Sequence, residues 1–200
     1  TMNSLLIKLS SIIEAPTTEE IVQDTGTGGS WPVSTDRIVW ALAAFSLLQV
    51  LPKNDEQSMN MYDTFKKRAF AAIVNTIEHD RVVVFDTSSG LYCGETSFLD
   101  WRGQTYAQWV CSDPIHIAMS KSLSTNVLHF RALEIASILS TEMTQVRKYQ
   151  EWAALLKQRI WDVFWLPEGS FAAFVSTELD QVPVHRFDLL GTALAAVFIC

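Results

Sequence analysis

Three long stretches of this sequence are apolar or uncharged nearly all round, and they limit the fold more than any other feature. Ile38 to Leu51 contains no charged residue, His116 to Leu139 has only Lys121, Arg131 and Glu134, and Phe187 to Cys200 has only Asp188. A helix without a wet face must be covered on most sides. Helices of a second kind lie between them. Tyr62, Phe65, Ala69 and Ile73 recur at helical spacing, with Asp63, Lys66, Lys67 and Glu78 elsewhere on the surface. Val146, Tyr149, Ala153, Leu156, Ile160 and Val163 repeat the pattern against Arg147, Lys148, Glu151, Lys157 and Arg159. Leu5, Leu6, Leu9, Ile12 and Ile13 form a shorter third example. Such helices bury one face and wet the other. The expected order is outer, inner, outer, inner, outer, inner.

The inner helices are expected to open near Asp36, Asp113 and Asp188, at intervals of 77 and 75 residues. A second echo supports a repeat. Phe85 to Tyr92 follows one outer helix and Trp165 to Phe171 follows the next, each an aromatic, a turn containing Gly, and a further aromatic. Both patterns predict tight hairpins in which Gly supplies a positive φ. A fixed period points to stacked units that bury their faces against neighbours. Residues 1–200 are therefore expected to form a single all-α domain of helical hairpins with short β-hairpin-like turns. The last inner helix has no outer partner after it, so either self-association or a missing remainder of the array is expected to cover it.

Composition narrows the partners. A net charge of -7 argues against nucleic acid and against anionic membranes, since both want clustered Lys and Arg. Lys66, Lys67 and Arg68 form a basic run that reads most simply as a solvated helix face. No apolar run reaches the roughly 20 residues a bilayer span needs. Cys93, Cys111 and Cys200 show neither disulfide nor zinc spacing, which favours a reducing, cytoplasmic setting. No motif requires a cofactor or a metal.

Chemistry is expected in the loops that precede the inner helices. The first, Asp24 to Arg37, places three glycines beside Trp31, followed by Asp36 and Arg37. It lacks the Gly-Lys-Ser/Thr of a phosphate loop. Thr35 and Asp36 also suit a helix cap and the positive end of the dipole, so capping alone accounts for an acid there. The second loop holds Glu95, Asp100, Trp101, Arg102, Gln104, Tyr106 and Trp109 in close succession. Sugar sites need this mixture of flat aromatic faces and bidentate polar groups. Glycosidic cleavage adds a need for carboxylates. The alternative is that Asp100 and Arg102 pin a long loop while the Trp residues fill core. His116 stands in the first turn of the second inner helix and can face the pocket, whereas mid-helix His129 reads as a satisfied core histidine. His185 and Asp188 precede the third inner helix, where capping explains Asp188 equally well.

The stretches Gly28-Gly29-Ser30-Trp31-Pro32, Thr35-Asp36-Arg37-Ile38-Val39-Trp40, Ser89-Gly90-Leu91-Tyr92 and Glu95-Thr96-Ser97-Phe98-Leu99-Asp100-Trp101-Arg102 resemble bacterial six-hairpin glycosidases. That superfamily includes glucoamylases, trehalases and debranching-type enzymes. The resemblance implies about half of an (α/α)6 toroid and an inverting glycoside hydrolase acting on an oligosaccharide or glucan-like substrate. It implies Asp100 as general acid, with Glu95 the second choice. Trp31, Trp101 and Trp109 would stack on sugar rings, and Asp36, Arg37, Arg102, Gln104, Tyr106 and His116 would complete the binding surface. No late-loop base is identified. Two other readings stay open, a non-catalytic carbohydrate-binding module and a structural helical repeat that self-associates.

Overall fold

The computed structural model describes residues 6–7, 19–21, 35–94, 115, 119–175 and 188–200, with Thr35 and Asp36 described for their backbone alone. Helix accounts for 71% of them, alongside two small antiparallel sheets, so the chain is mostly helical. The elements are α1 (Thr35–Val50), α2 (Glu56–Val83), β1 (Phe85–Asp86), β2 (Leu91–Tyr92), β3 (Lys121–Ser122), α3 (Leu123–Leu139), α4 (Met143–Phe164), β4 (Phe174–Val175) and α5 (Leu189–Phe198).

The two amphipathic helices form as their spacing requires. In α2 the buried residues are Phe65, Ala69, Ala72, Ile73, Thr76, Ile77 and Asp80, one stripe along a single face. Its start is fixed by Asp55, whose carboxylate accepts from the Ser58 N–H at 2.7 Å. In α4 the stripe is Tyr149, Ala153, Leu156, Ile160 and Phe164. Glu78 joins the two helices, accepting from Lys148 Nζ at 2.6 Å and from the Tyr149 hydroxyl at 2.9 Å.

Helix α3 is the hub. It packs against each of the other four helices, and its first eight residues, Leu123 to Phe130, are all buried. Helices α1 and α5 flank it and are covered only in part. Both expected hairpins are present. Phe85 pairs with Tyr92 and Asp86 with Leu91, around Gly90 at φ +71°. Trp165 pairs with Phe171, around Gly169 at φ +85°. Gly90 has a second reason to lack a side chain, since a Cβ there would stand 3.1 Å from Arg159 Cγ.

The second inner helix departs from expectation. The span 116–139 is not one helix, because Lys121 and Ser122 are extended and pair with Val175 and Phe174. The long helix begins only at Leu123, with Ser122 as its N-cap accepting from the Thr125 N–H. Helices α1, α3 and α5 thus start at Thr35, Leu123 and Leu189, intervals of 88 and 66 residues rather than an even period. Pairing with a distant strand overrides a local apolar pattern that carries no Gly or Pro to interrupt it.

Candidate functional site

A chain of buried polar groups links described residues that flank the segments 22–34, 95–118 and 176–187. It starts at Arg37 in the first turn of α1. Arg37 Nη1 lies 2.6 Å and 2.8 Å from the two oxygens of Asp80, and its Nε donates to the Ile21 carbonyl at 2.9 Å. The Ile21 N–H in turn donates to Thr76 Oγ1 at 2.9 Å. The described residues on either side of segment 22–34 are therefore fastened to α2.

Asp80 carries the chain onward to α3. His129 Nε2 lies 3.1 Å from Asp80 Oδ2, and Nδ1 lies 2.8 Å from the Thr125 carbonyl. Each ring nitrogen faces an acceptor. Burial works to raise the Asp80 carboxyl, but the hydrogen bond and charge of His129 and the charge of Arg37 outweigh it and hold its pKa below the ordinary 3.8. The His129 ring stacks on Tyr92 of β2, centroids 4.0 Å apart. Tyr92 is bound at its backbone by Asn126, which accepts from its N–H at 2.8 Å and donates to its carbonyl at 3.0 Å. Asn126 Nδ2 also donates to the Ser122 carbonyl at 2.9 Å.

From Ser122 the chain reaches the other two loops. Gly94 N–H donates to the Ser120 carbonyl at 2.6 Å, and Ser122 N–H to the Gly94 carbonyl at 3.1 Å. The two ends of the segment 95–118 are thereby closed on each other. The far side of β3 pairs with β4, the strand that leads into 176–187. That third segment ends at Asp188, the N-cap residue of α5. A side chain at Gly191 would collide with the Asp188 carboxyl and reach Leu123, so the starts of α5 and α3 lie side by side. Helices α1, α3 and α5 thus begin at one end of the bundle.

Lys121 reinforces this network. Although nearly buried, its Nζ sits 3.1 Å from Asp86 Oδ2. Against the cost of partial burial, hydrogen bonds from Ser88, Ser89 and Lys121 hold the Asp86 carboxyl well below the usual range. The hairpin β1–β2 is locked to β3 by this pair.

The arrangement is a closed one. Asp80 bonds to His129 and Arg37, and His129 and Asn126 bond to nearby main chain, as buried polar groups must. The arrangement ties α1, α2, α3 and the β1–β2 hairpin together. Arg37, expected to bind sugar hydroxyls, is 2% exposed, with Nη1 on Asp80 and Nε on the Ile21 carbonyl. His129 is the satisfied core histidine its position implied. Trp31, Glu95, Asp100, Trp101, Arg102, Gln104, Tyr106, Trp109 and His116 lie outside the described residues, as does the side chain of Asp36. Among the described residues no group of three or more His, Cys, Asp or Glu is placed to hold a metal.

Two carboxyls gain weight from the structure. Asp80 interrupts the apolar stripe of α2 in register with Ile73, Thr76 and Ile77, a signal legible in the sequence. Asp188 Oδ2 is buried without a hydrogen-bond partner. Burial raises its pKa above 3.8, with the N–H groups of Gly191 and Leu190 pulling the other way.

No family model matches the chain, no curated protein sequence matches it, and no solved structure matches it. Among the described residues, no helix is long and apolar enough to cross a membrane.

Proposed function

We propose that this chain is a glycoside hydrolase domain, or part of one, of the helical-hairpin toroid type, acting on an oligosaccharide. The observation that carries the reading is that described residues flanking the segments 22–34, 95–118 and 176–187 meet on one buried polar network. The second of them bears Glu95, Asp100, Trp101, Arg102, Tyr106 and Trp109. The described residues at its two ends, Gly94 and Ser120, are hydrogen-bonded to each other. In this reading Asp100 donates a proton to the leaving glycosidic oxygen while a second carboxylate takes one from the attacking water. The two stand about 6.5–9.5 Å apart in an inverting enzyme. Trp31, Trp101 and Trp109 offer the flat surfaces that the apolar face of a pyranose requires.

Reducing-sugar release from α- and β-linked oligosaccharides, with wild type beside Asp100→Asn, tests it. Turnover of at least one linkage is expected, and its loss in Asp100→Asn with binding retained. Undiminished turnover by Asp100→Asn removes the acid assignment. Binding without any turnover moves the chain to a carbohydrate-binding module. That second reading, joined to self-association, is favoured by one observation: α5 leaves Leu189 and Val197 each 71% exposed with no charge beside them on the helix.

A further inference from the structure

The joint between α2 and α3 turns on a buried histidine whose two ring nitrogens both face oxygen. His129 is 3% exposed. Its Nε2 lies 3.1 Å from Asp80 Oδ2, and its Nδ1 lies 2.8 Å from the Thr125 carbonyl. A neutral imidazole has one nitrogen that donates and one that accepts. A main-chain carbonyl only accepts. An ionised carboxylate also only accepts, and Asp80 is ionised at neutral pH, with both oxygens within 2.8 Å of Arg37 Nη1 and its pKa held below 3.8. Both contacts are therefore hydrogen bonds only when the ring carries a proton on each nitrogen. The neutral ring makes one of them and sets a lone pair against an acceptor at the other.

The surroundings pull the ring both ways. Asp80 on α2 and the Thr125 carbonyl, one turn back on α3, favour the second proton. So does Tyr92 of β2, whose ring stacks at 4.0 Å and 15° and whose hydroxyl is kept neutral by burial. Burial opposes the proton, as does the Arg37 cation of α1 that already holds Asp80. His79 of α2 is a second titrating ring on the same carboxylate, its Nδ1 3.5 Å from Asp80 Oδ1 and 3.8 Å from Glu20 Oε2. Further along α3, Arg131 pairs with Glu134, and Lys157 of α4 lies over the Phe130 ring. Helix α5 has no ionisable side chain between Leu189 and Phe198.

We infer that the Asp80–His129–Thr125 contact is a proton-operated clasp. With both nitrogens protonated, His129 ties α3 to α2 and to its own preceding turn. When the second proton passes to solvent, one of the two ties is released. Histidine is the side chain that ordinarily changes charge between roughly pH 5 and 8, so the clasp opens within the range a cell can reach. It sits where α1, α2, α3 and the β1–β2 hairpin are joined, and it stands independently of the carbohydrate reading. A proton gripped by the folded chain stabilises it at low pH, and that stabilisation is lost as pH rises. The limb is separate from that of Asp80, which acts below 3.8.

The test is the melting temperature of the chain at about pH 5.5 and about pH 8.5 for wild type, His129→Gln and His79→Gln, beside nitrogen NMR of the wild-type imidazole rings. From the lower to the higher pH, wild type and His79→Gln should lose about 2–4 °C more than His129→Gln. The His129 ring should carry two N–H protons at the lower pH and one at the higher, a reading that decides the matter even where His129→Gln does not fold. An equal change in wild type and His129→Gln overturns the proposal. So does loss of the extra fall in His79→Gln, or a His129 ring in the same protonation state at both pH values.

Discussion

Helices α3 and α5 are made of similar material and meet opposite circumstances. Each is apolar along most of its length, and each opens beside an acidic or polar residue at the loop end. Helix α3 is enclosed by four neighbours, and its buried polar atoms are matched: His129 by Asp80 and Thr125, Asn126 by Tyr92 and Ser122. Helix α5 leans on α3 through Gly191 and Ala195 and turns Leu189 and Val197 to the outside. The carboxyls divide in the same way. Asp80, against α3, is held below its ordinary pKa by its contacts with His129 and Arg37, while Asp188, at the head of α5, keeps Oδ2 buried without a hydrogen-bond partner. An apolar sequence states a need for cover. Position in the bundle decides whether the chain itself supplies it.

The contrast can be broken most severely at Asp80. Asp80→Ala strands the Arg37 cation in the core and should cost about 3–5 kcal/mol in urea unfolding, a large share of a domain's stability. A loss under about 1 kcal/mol would mean that the joint is not closed in solution. Within α3, Leu128→Ala removes a fully buried side chain and should cost about 2–5 kcal/mol. The same substitution at exposed Leu189 should stay within about 0.5 kcal/mol, which sharpens the difference between the helices.

The two aspartates should also answer pH with opposite sign. Asp80 has its folded pKa below 3.8, so its stabilisation is complete above that value and is lost as pH falls through the folded one. Asp188 has its folded pKa above 3.8, so the fold grips its proton and stability falls as pH rises from 3.8 through the folded value. Asp188→Asn should therefore raise the urea midpoint at neutral pH, by less than about 1 kcal/mol, and flatten that limb. The smallest stability effect is expected from Val197→Lys. Its consequence is read instead by sedimentation, where any self-association through α5 should weaken.

The sequence made some of this legible and hid the rest for identifiable reasons. Local signals carried well. The apolar spacing of α2 and α4 is their buried stripe, and the aromatic–Gly–aromatic echoes at Phe85–Tyr92 and Trp165–Phe171 are hairpins. Long-range pairing did not. Nothing near Lys121 announces that it will extend beside Gly94 and Val175, so one unbroken helix over 116–139 was expected where the chain is extended at Lys121 and Ser122. Arg37 was read as a ligand-facing group because a charge next to a Gly-rich loop suggests one. Its partner lies 43 residues away on α2, and only the folded register brings them together. The candidate network was thus half visible: His129 could be placed in the core, whereas Asp80, which gives it a partner, could not be matched to it.

The account rests most directly on the loops binding sugar. The decisive measurement is the thermal shift of the chain across mono- and oligosaccharides, with wild type beside Trp101→Ala. The account predicts that particular sugars raise the wild-type melting temperature by mass action and that Trp101→Ala abolishes the rise without lowering the unliganded midpoint. No shift with any sugar, or the same shift in Trp101→Ala, would contradict it.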